Sequence, residues 1–255
     1  MNKEFAVSDR KGLIAVFAGL AMPGMGQIYN GELFKGACFF AIFTMMPLIC
    51  LRLTMYLPDR FLIWGCGMSV LITLAIYGLC VIGAYRKSSH QGSGYMLKSY
   101  NRWYFYLMVW LFCVFFFSGS ISQYIQDNIM QLVKIAGRSM EPHVQVGDMV
   151  IIDKTGYKKD SPKVNDIIIY RYPDDPSKIY IKRIAGLPGQ TLKSEGDYVV
   201  PHGHVFVMGD NRAHSDDSRH HGPIPMTEIL GKARQIYFSS GPNGIRWERI
   251  GKVLP

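Results

Sequence analysis

VNDIIIYRYPDDPSKIYIKRIAG, residues 164–186, decides how the second half of this chain folds. Its two apolar runs, VNDIIIYRY (164–172) and IYIKRIAG (179–186), are short and rich in β-branched and aromatic side chains, with Pro and Asp between them. That pattern marks strands rather than helices. On either side, MVIID (149–153), DYVVP (197–201), HVFVMGD (204–210) and ARQIYFS (233–239) repeat it, again punctuated by Gly, Pro or Asp. Residues 135–255 are therefore expected to form an all-β domain, and a length of about 120 residues suffices for a core of its own.

Upstream the chain is written for a different solvent. Hydrophobic residues make up 49% of the sequence and the mean hydropathy is +0.08. The stretches 33–57, 61–85 and 103–121 are each about long enough to cross a ~30 Å hydrocarbon core, so three spanning helices are expected within a membrane region covering residues 1–121. Residues 12–29 are apolar but broken by Pro23, Gly24 and Gly26. With Lys3, Arg10 and Lys11 before them they resemble a secretory signal peptide, yet no small-x-small site leads into a polar region, and a retained interfacial or re-entrant helix is expected. The stretch PGMGQIYNGELFKG (23–36) resembles small membrane-hairpin modules and reads locally as a glycine-rich bend.

The connector 86–102 carries Arg86, Lys87, Lys98 and Arg102 and no acid, whereas residues 58–60 are only Pro-Asp-Arg. The positive-inside rule puts the longer connector in the cytoplasm and everything after residue 122 on the far side, with 122–134 as a short helical or extended neck. The net charge of +9 divides unevenly. Residues 1–121 hold 10 Lys+Arg against 4 Asp+Glu, and the polar half 18 against 15. Most of the excess thus lies next to anionic headgroups, which argues against nucleic acid as a partner. Cys38, Cys50, Cys66, Cys80 and Cys113 all lie in apolar segments, so the expected β domain holds no disulfide, and no CxxC pattern suggests a metal.

One serine in the polar half stands out for its setting. In AGRSMEP (136–142), Ser139 sits in a turn between Gly137 and Pro142. A serine hydroxyl is a poor nucleophile unless a neighbouring group takes its proton. The candidates include His143, His202, His204, His214, His220, His221 and several lysines. The histidines lack a Cys or Glu at metal-ligand spacing, and the adjacency of Ser, His and Asp in AHSDDS (213–218) proves nothing, because triads are spatial arrangements. Strand alternation places Lys182 on one face with Tyr180 and Ile184. Burial there would lower the lysine pKa and leave a neutral amine able to deprotonate Ser139; a lysine snorkelling from a strand edge is the alternative.

Taken in order behind an outward-facing helix, GRSMEPHVQVGD, VNDIIIYRY, IYIKRIAGLPGQ and FVMGDNRAHSDDSRHHGPIP resemble bacterial type I signal peptidases, the Ser/Lys leader peptidases. The likeness runs from residue 135 to about 239, and GIRWERIG (244–251) extends it; S-M-x-P, K-R-x-x-G-x-P-G and G-D-N-R-x-x-S-x-D-S-R together are highly specific. It implies an N-terminal α-helical membrane region plus an all-β extracytoplasmic catalytic domain, with Ser139 as nucleophile and Lys182 as general base. It further implies that Ser215 orients the lysine, and that Asp210, Arg212, Asp217 and Arg219 form a polar cluster shaping the site. Some family members have a serine two residues before the nucleophile that completes the oxyanion hole; here that position is Gly137, leaving the Ser139 backbone N–H plus main chain or water. His214 stands where asparagine is common.

The implied activity is removal of N-terminal signal peptides from exported preproteins after Ala-x-Ala-type sites, without cofactor or metal. The expected location is the bacterial cytoplasmic membrane, as a multi-pass protein with the bilayer, preproteins and the secretion translocon as partners. A specialised peptidase with a single client and an inactive membrane scaffold that binds exported chains are the competing readings. A transporter is disfavoured because the apolar helices contain almost no acidic residues.

Overall fold

A computed structural model of the chain describes residues 7–8, 11–91, 95–115, 119–158, 160–173 and 175–255. Lys3 and Arg10 of the basic start, and residues 116–118 of the expected third span, lie outside them. The described residues form two compact units, Met1–Thr54 with Trp64–Gln123, and Met55–Ile63 with Tyr124–Pro255.

The first unit is helical. A short strand β1 (Val7–Ser8) is followed by α1 (Gly12–Ala21), α2 (Met25–Tyr29) and α3 (Leu33–Thr54), and α4 (Leu62–Gln91) begins beyond a 3-10 turn at Asp59–Phe61. Strand β2 (Tyr95–Met96) pairs antiparallel with β1 and precedes α5 (Trp103–Cys113) and α6 (Gly119–Asn128). At 1.5 Å per residue α3 is about 33 Å long and α4 about 45 Å, both sufficient to cross a bilayer. Their windows have mean hydropathies of 1.9 and 2.1, and they leave Phe34, Ile42, Leu53, Trp64, Leu71 and Leu79 exposed, as a lipid-facing helix would. The expected helix over 103–121 is observed as the 11-residue α5 and, from Gly119, the start of α6.

The broken segment 12–29 is a helix–bend–helix. Gly24 has φ +88°, and a Cβ there would strike the Gly36 carbonyl, so the bend needs glycine both for its left-handed backbone and for close approach. Lipid offers no hydrogen bonds, so polar side chains here must find partners within the protein. Gln27 and Asn30 are buried and donate to the Cys80 and Ala84 carbonyls of α4 at 2.7 Å each.

The second unit is built on one antiparallel sheet. Its strands are β3 (Met130–Lys134), β4 (Asp148–Asp153), β5 (Ile167–Tyr172), β6 (Asp175–Gly186), β9 (His204–Met208), β10 (Ile224–Pro225) and β11 (Ile229–Gly241), with β12 (Gly244–Ile245) hairpinned onto β11. The spatial order is β10-β9-β6-β5-β11-β4-β3, and β7 (Thr191–Leu192) and β8 (Tyr198–Val199) form a separate ribbon. The sheet begins at Met130, inside the segment expected to be a neck, because Leu132 and Val133 register against Ile151 and Val150. Ile167–Tyr170 are all fully buried because the sheet is covered on both faces: Ile167 and Ile169 pack with Met140, Val144 and Val150, and Ile168 and Tyr170 with Ile184, Val205 and Val207.

Candidate active site

Ser139 lies in the turn between β3 and β4. The ends of that turn are tied by Ile135 N–H to the Asp148 carbonyl (2.8 Å) and Gly147 N–H to the Ile135 carbonyl (2.9 Å). Its base is fixed by Asp148, whose fully buried carboxylate accepts from the Gln145 amide (2.8 Å), Ser239 Oγ (2.6 Å) and Arg249 Nη2 (2.6 Å). Arg249 also donates to the His143 carbonyl at 2.9 Å, so the C-terminal segment holds the turn from behind. On the other side the Ser139 carbonyl accepts from the Asn211 amide at 3.0 Å. Gly209 must be glycine for this approach: a Cβ there would collide with the Ser139 carbonyl and Ser215 Oγ.

Lys182 reaches the same point from β6. It sits opposite Ile168 in the β5–β6 ladder, and cross-strand partners share a sheet face, so it is set among Ile168, Tyr170 and Ile184 and is only 2% exposed. Its Nζ is 2.8 Å from Ser139 Oγ and 5.7 Å from the centre of the Tyr180 ring. Burial pulls the ammonium pKa below its ordinary 10.5, against the opposing pull of the Asp217 and Asp216 carboxylates. A hydroxyl in contact with a buried, readily neutralised amine is an arrangement able to make an oxygen nucleophile.

The expected polar cluster separates into two ion pairs. Asp217, fully buried, caps α7 (Ser218–His221) and accepts from Arg219 Nε (2.8 Å), Arg219 Nη2 (3.0 Å) and the Gly209 amide (2.9 Å). Burial alone would raise its pKa, but these donors hold the carboxyl well below the usual range. Asp210 is gripped in bidentate fashion by Arg183 (2.7 and 2.8 Å) and lies 2.9 Å from His143 Nδ1. Arg212 joins through its backbone, its carbonyl accepting from Arg219 Nη2 at 2.7 Å. Ser215 Oγ is buried beneath Gly209 and faces Asp217, where its hydroxyl helps to lower the pKa of that carboxyl.

Arg183 was not given a site role from the sequence, and His143 was named only among the candidate bases, not as a partner of Asp210. The Lys-Arg pair at 182–183 was the available signal for Arg183: alternation sends the second residue to the opposite face, where it stands across from Ile167 and, on the other side, from Met208, two residues before Asp210. Beside Ser139 runs a cleft of about 390 Å³ whose lining includes Ile135, Ala136, Ile169 and Ile181 together with Ser139 and Lys182. No side chain of Gly137 intrudes, and a Cβ built there meets nothing within 4 Å.

The family described as "Signal peptidase, peptidase S26" matches residues 105–200 and 192–238. The mitochondrial inner membrane protease subunit 2 of Saccharomyces cerevisiae is 36% identical over 126 residues, covering 45% of this chain and 71% of that protein. A probable signal peptidase I-1 of Synechocystis is 32% identical over 148 residues (46% and 74%), and a signal peptidase I of Pseudomonas fluorescens 25% identical over 252 residues (68% and 88%).

Proposed function

Because the chain belongs to the S26 family of signal peptidases, we propose that it is a membrane-bound serine endopeptidase that removes N-terminal signal peptides from exported preproteins, with Ser139 as nucleophile and Lys182 as general base. The observation that carries this reading is the 2.8 Å approach of a 2%-exposed lysine amine to the serine hydroxyl. Neutral Lys182 takes the Ser139 proton as Oγ attacks the scissile carbonyl. The ammonium then protonates the leaving amine, and the free amine activates the water that hydrolyses the acyl-enzyme. The Ser139 amide is the main-chain donor for the oxyanion. Asp217–Arg219 and Asp210–Arg183 act as positioning pairs, and Ser215 is the hydroxyl that meets the lysine amine during turnover. The apolar part of the cleft wall around Ala136, Ile135, Ile169 and Ile181 supports a preference for Ala-x-Ala-type sites, the apolar spans support membrane residence, and the basic connector supports a multi-pass topology in the bacterial cytoplasmic membrane with the sheet domain outside.

The test is cleavage of several unrelated Ala-x-Ala preproteins by the purified full-length chain in lipid vesicles. A general signal peptidase cuts them all after the small residue; cutting one alone identifies a single-client processing enzyme, and cutting none removes the proposal. The pH profile gives a second check. Since only the neutral amine can accept the proton, kcat/KM should climb with pH and reach its plateau around a pKa below 10.5. A rise confined to pH 10.5 or above, or a flat profile, contradicts a lysine base.

Gly137 supplies a third. The open space at its Cβ means Gly137→Ser should fold normally, and its hydroxyl would add an oxyanion donor. Single donors of this kind are worth about 10²-fold or more in kcat, so a measurable rise in kcat with little change in KM is expected. A fall in kcat would place the oxyanion elsewhere.

A further inference from the structure

The segment between the two long apolar helices packs with the sheet: Met55–Ile63 belongs to the same compact unit as Tyr124–Pro255. Two consecutive residues of β11 hold it. Arg234 donates through Nη1 to the Met55 carbonyl (2.8 Å), through Nη2 to the Leu57 carbonyl (2.6 Å), and through Nε to Asp59 Oδ1. These carbonyls lie just past the end of α3, where helical partners run out. Gln235 Oε1 accepts from the Ile63 amide (3.2 Å) in the first turn of α4, while its Nε2 donates to the Gly251 carbonyl (2.8 Å). One residue therefore holds the first part of the Met55–Ile63 segment and the next its end.

Neighbouring residues of a regular strand point to opposite faces, so both could not reach one loop. A bulge resolves this. The β11–β4 register shifts between Ala233 and Gln235, which pair with Ile152 and Ile151, leaving Arg234 as the extra residue. Bulges re-aim side chains in this way. Both anchors are buried, Arg234 at 9% and Gln235 at 2% exposure, and Arg234 is also paired with Asp153 at 3.2 Å.

We infer that Arg234, Gln235 and Asp59 form a docking site that clamps the α3–α4 loop to the peptidase sheet and thereby selects which peptide bond of a membrane-embedded substrate reaches Ser139. This rests on the function proposed above. A signal peptide presents its cleavage site at a depth set by its apolar segment. A peptidase tethered only through the chain entering by α6 could ride up or down; one whose loop is clamped is also tied, by direct chain continuity, to two helices long enough to cross a membrane. The clamp is then a positioning device, and the three residues touch no reacting atom.

The experiment uses the full chain in vesicles and a preprotein carrying two staggered small-x-small sites, with the products read by mass spectrometry. Asp59→Ala is the principal variant, since its side chain is 35% exposed and its loss is tolerable. Arg234→Gln is the second, and Asp59→Glu the conservative rescue. Wild type should favour one site; Asp59→Ala and Arg234→Gln should shift the ratio of the two products by about tenfold, of the order expected for small misplacements of reacting groups. A soluble peptide spanning one site should be cut at rates within twofold of wild type. Hydrogen exchange at the Ile63 amide reports docking without reference to activity: protection in wild type and its loss in Arg234→Gln are expected. An unprotected Ile63 in wild type overturns the docking, and an unchanged product ratio after protection is lost overturns its role in site selection. A wild type with Ile63 protected that cuts neither substrate refutes the peptidase reading, and the selection role with it, while the docked loop stands.

Discussion

Ser139→Ala and Lys182→Met are each expected to abolish preprotein cleavage, with losses of about 10⁴-fold or more, because a nucleophile and its base act as one unit. The two substitutions fail for different reasons. Alanine leaves no oxygen to attack, whereas methionine fills the lysine's place among Ile168, Tyr170 and Ile184 without an atom that accepts a proton. Neither should cost stability. Ser139 sits in a turn tied by backbone hydrogen bonds, and a thioether suits an apolar site better than an amine that burial already drives towards neutrality. Lys182→Arg adds a sharper control: a guanidinium remains charged at any working pH, so it should be as inactive as methionine even though a basic group is kept. Rates measured in the vesicle assay, beside hydrogen exchange to verify folding, decide the matter. Near-normal cleavage by Ser139→Ala would require another nucleophile, and by either Lys182 variant another base, with His214, which lines the same cleft, the first to examine.

The largest expected effect on stability comes from Asp148→Ala. The carboxylate is fully buried and takes hydrogen bonds from Arg249, Arg246, Ser239 and the Gln145 amide. Removing it strands Arg249, itself 7% exposed, and breaking a buried ion pair from one side costs about 3–5 kcal/mol. Protection of the Val150–Ile152 amides in β4 should drop by roughly 10²-fold or more as the sheet opens more readily. The pH dependence has a definite sign. Burial alone would raise the Asp148 pKa, but Arg249, the Gln145 amide and Ser239 bring it below its ordinary 3.8. Its contribution is therefore complete above pH 3.8 and is lost as the pH falls from there through the lowered native value. The difference between wild type and Asp148→Ala should be constant above about pH 5 and shrink in more acid solution. A variant as protected as wild type at neutral pH would show that the turn carrying Ser139 is held by backbone bonds alone.

Part of the site is legible in the sequence. Strand-like runs over 149–153, 164–172, 179–186 and 204–210 correspond to β4, β5, β6 and β9, because β-branched content with alternation is a local property. Resemblance of three motifs to a peptidase family pointed to Ser139 and Lys182, and the fold brings these two side chains together across 43 positions of sequence. The grouping of the acidic and basic residues was less accessible. Asp210, Arg212, Asp217 and Arg219 are close in sequence, yet Asp210 pairs with Arg183, 27 residues upstream, because β6 runs beside β9. The strand hidden in the expected neck escaped for a related reason. MQLVK alternates too briefly to stand out, and becomes β3 only when β4 offers a partner.

Arg234 and Gln235 mark the limit most clearly. Within ARQIYFS they read as an ordinary polar pair in a strand, and nothing local discloses a bulge. What the sequence determined alone was governed by short-range terms: which segments are apolar enough for lipid, which alternate, and where glycine or proline breaks them. What the tertiary structure decided was which charges meet and which are buried, since the partner of Lys182 lies 43 residues away and that of Arg234 lies 175. Pairing across such separations depends on strand order and register, which hydrophobic pattern constrains but does not enumerate.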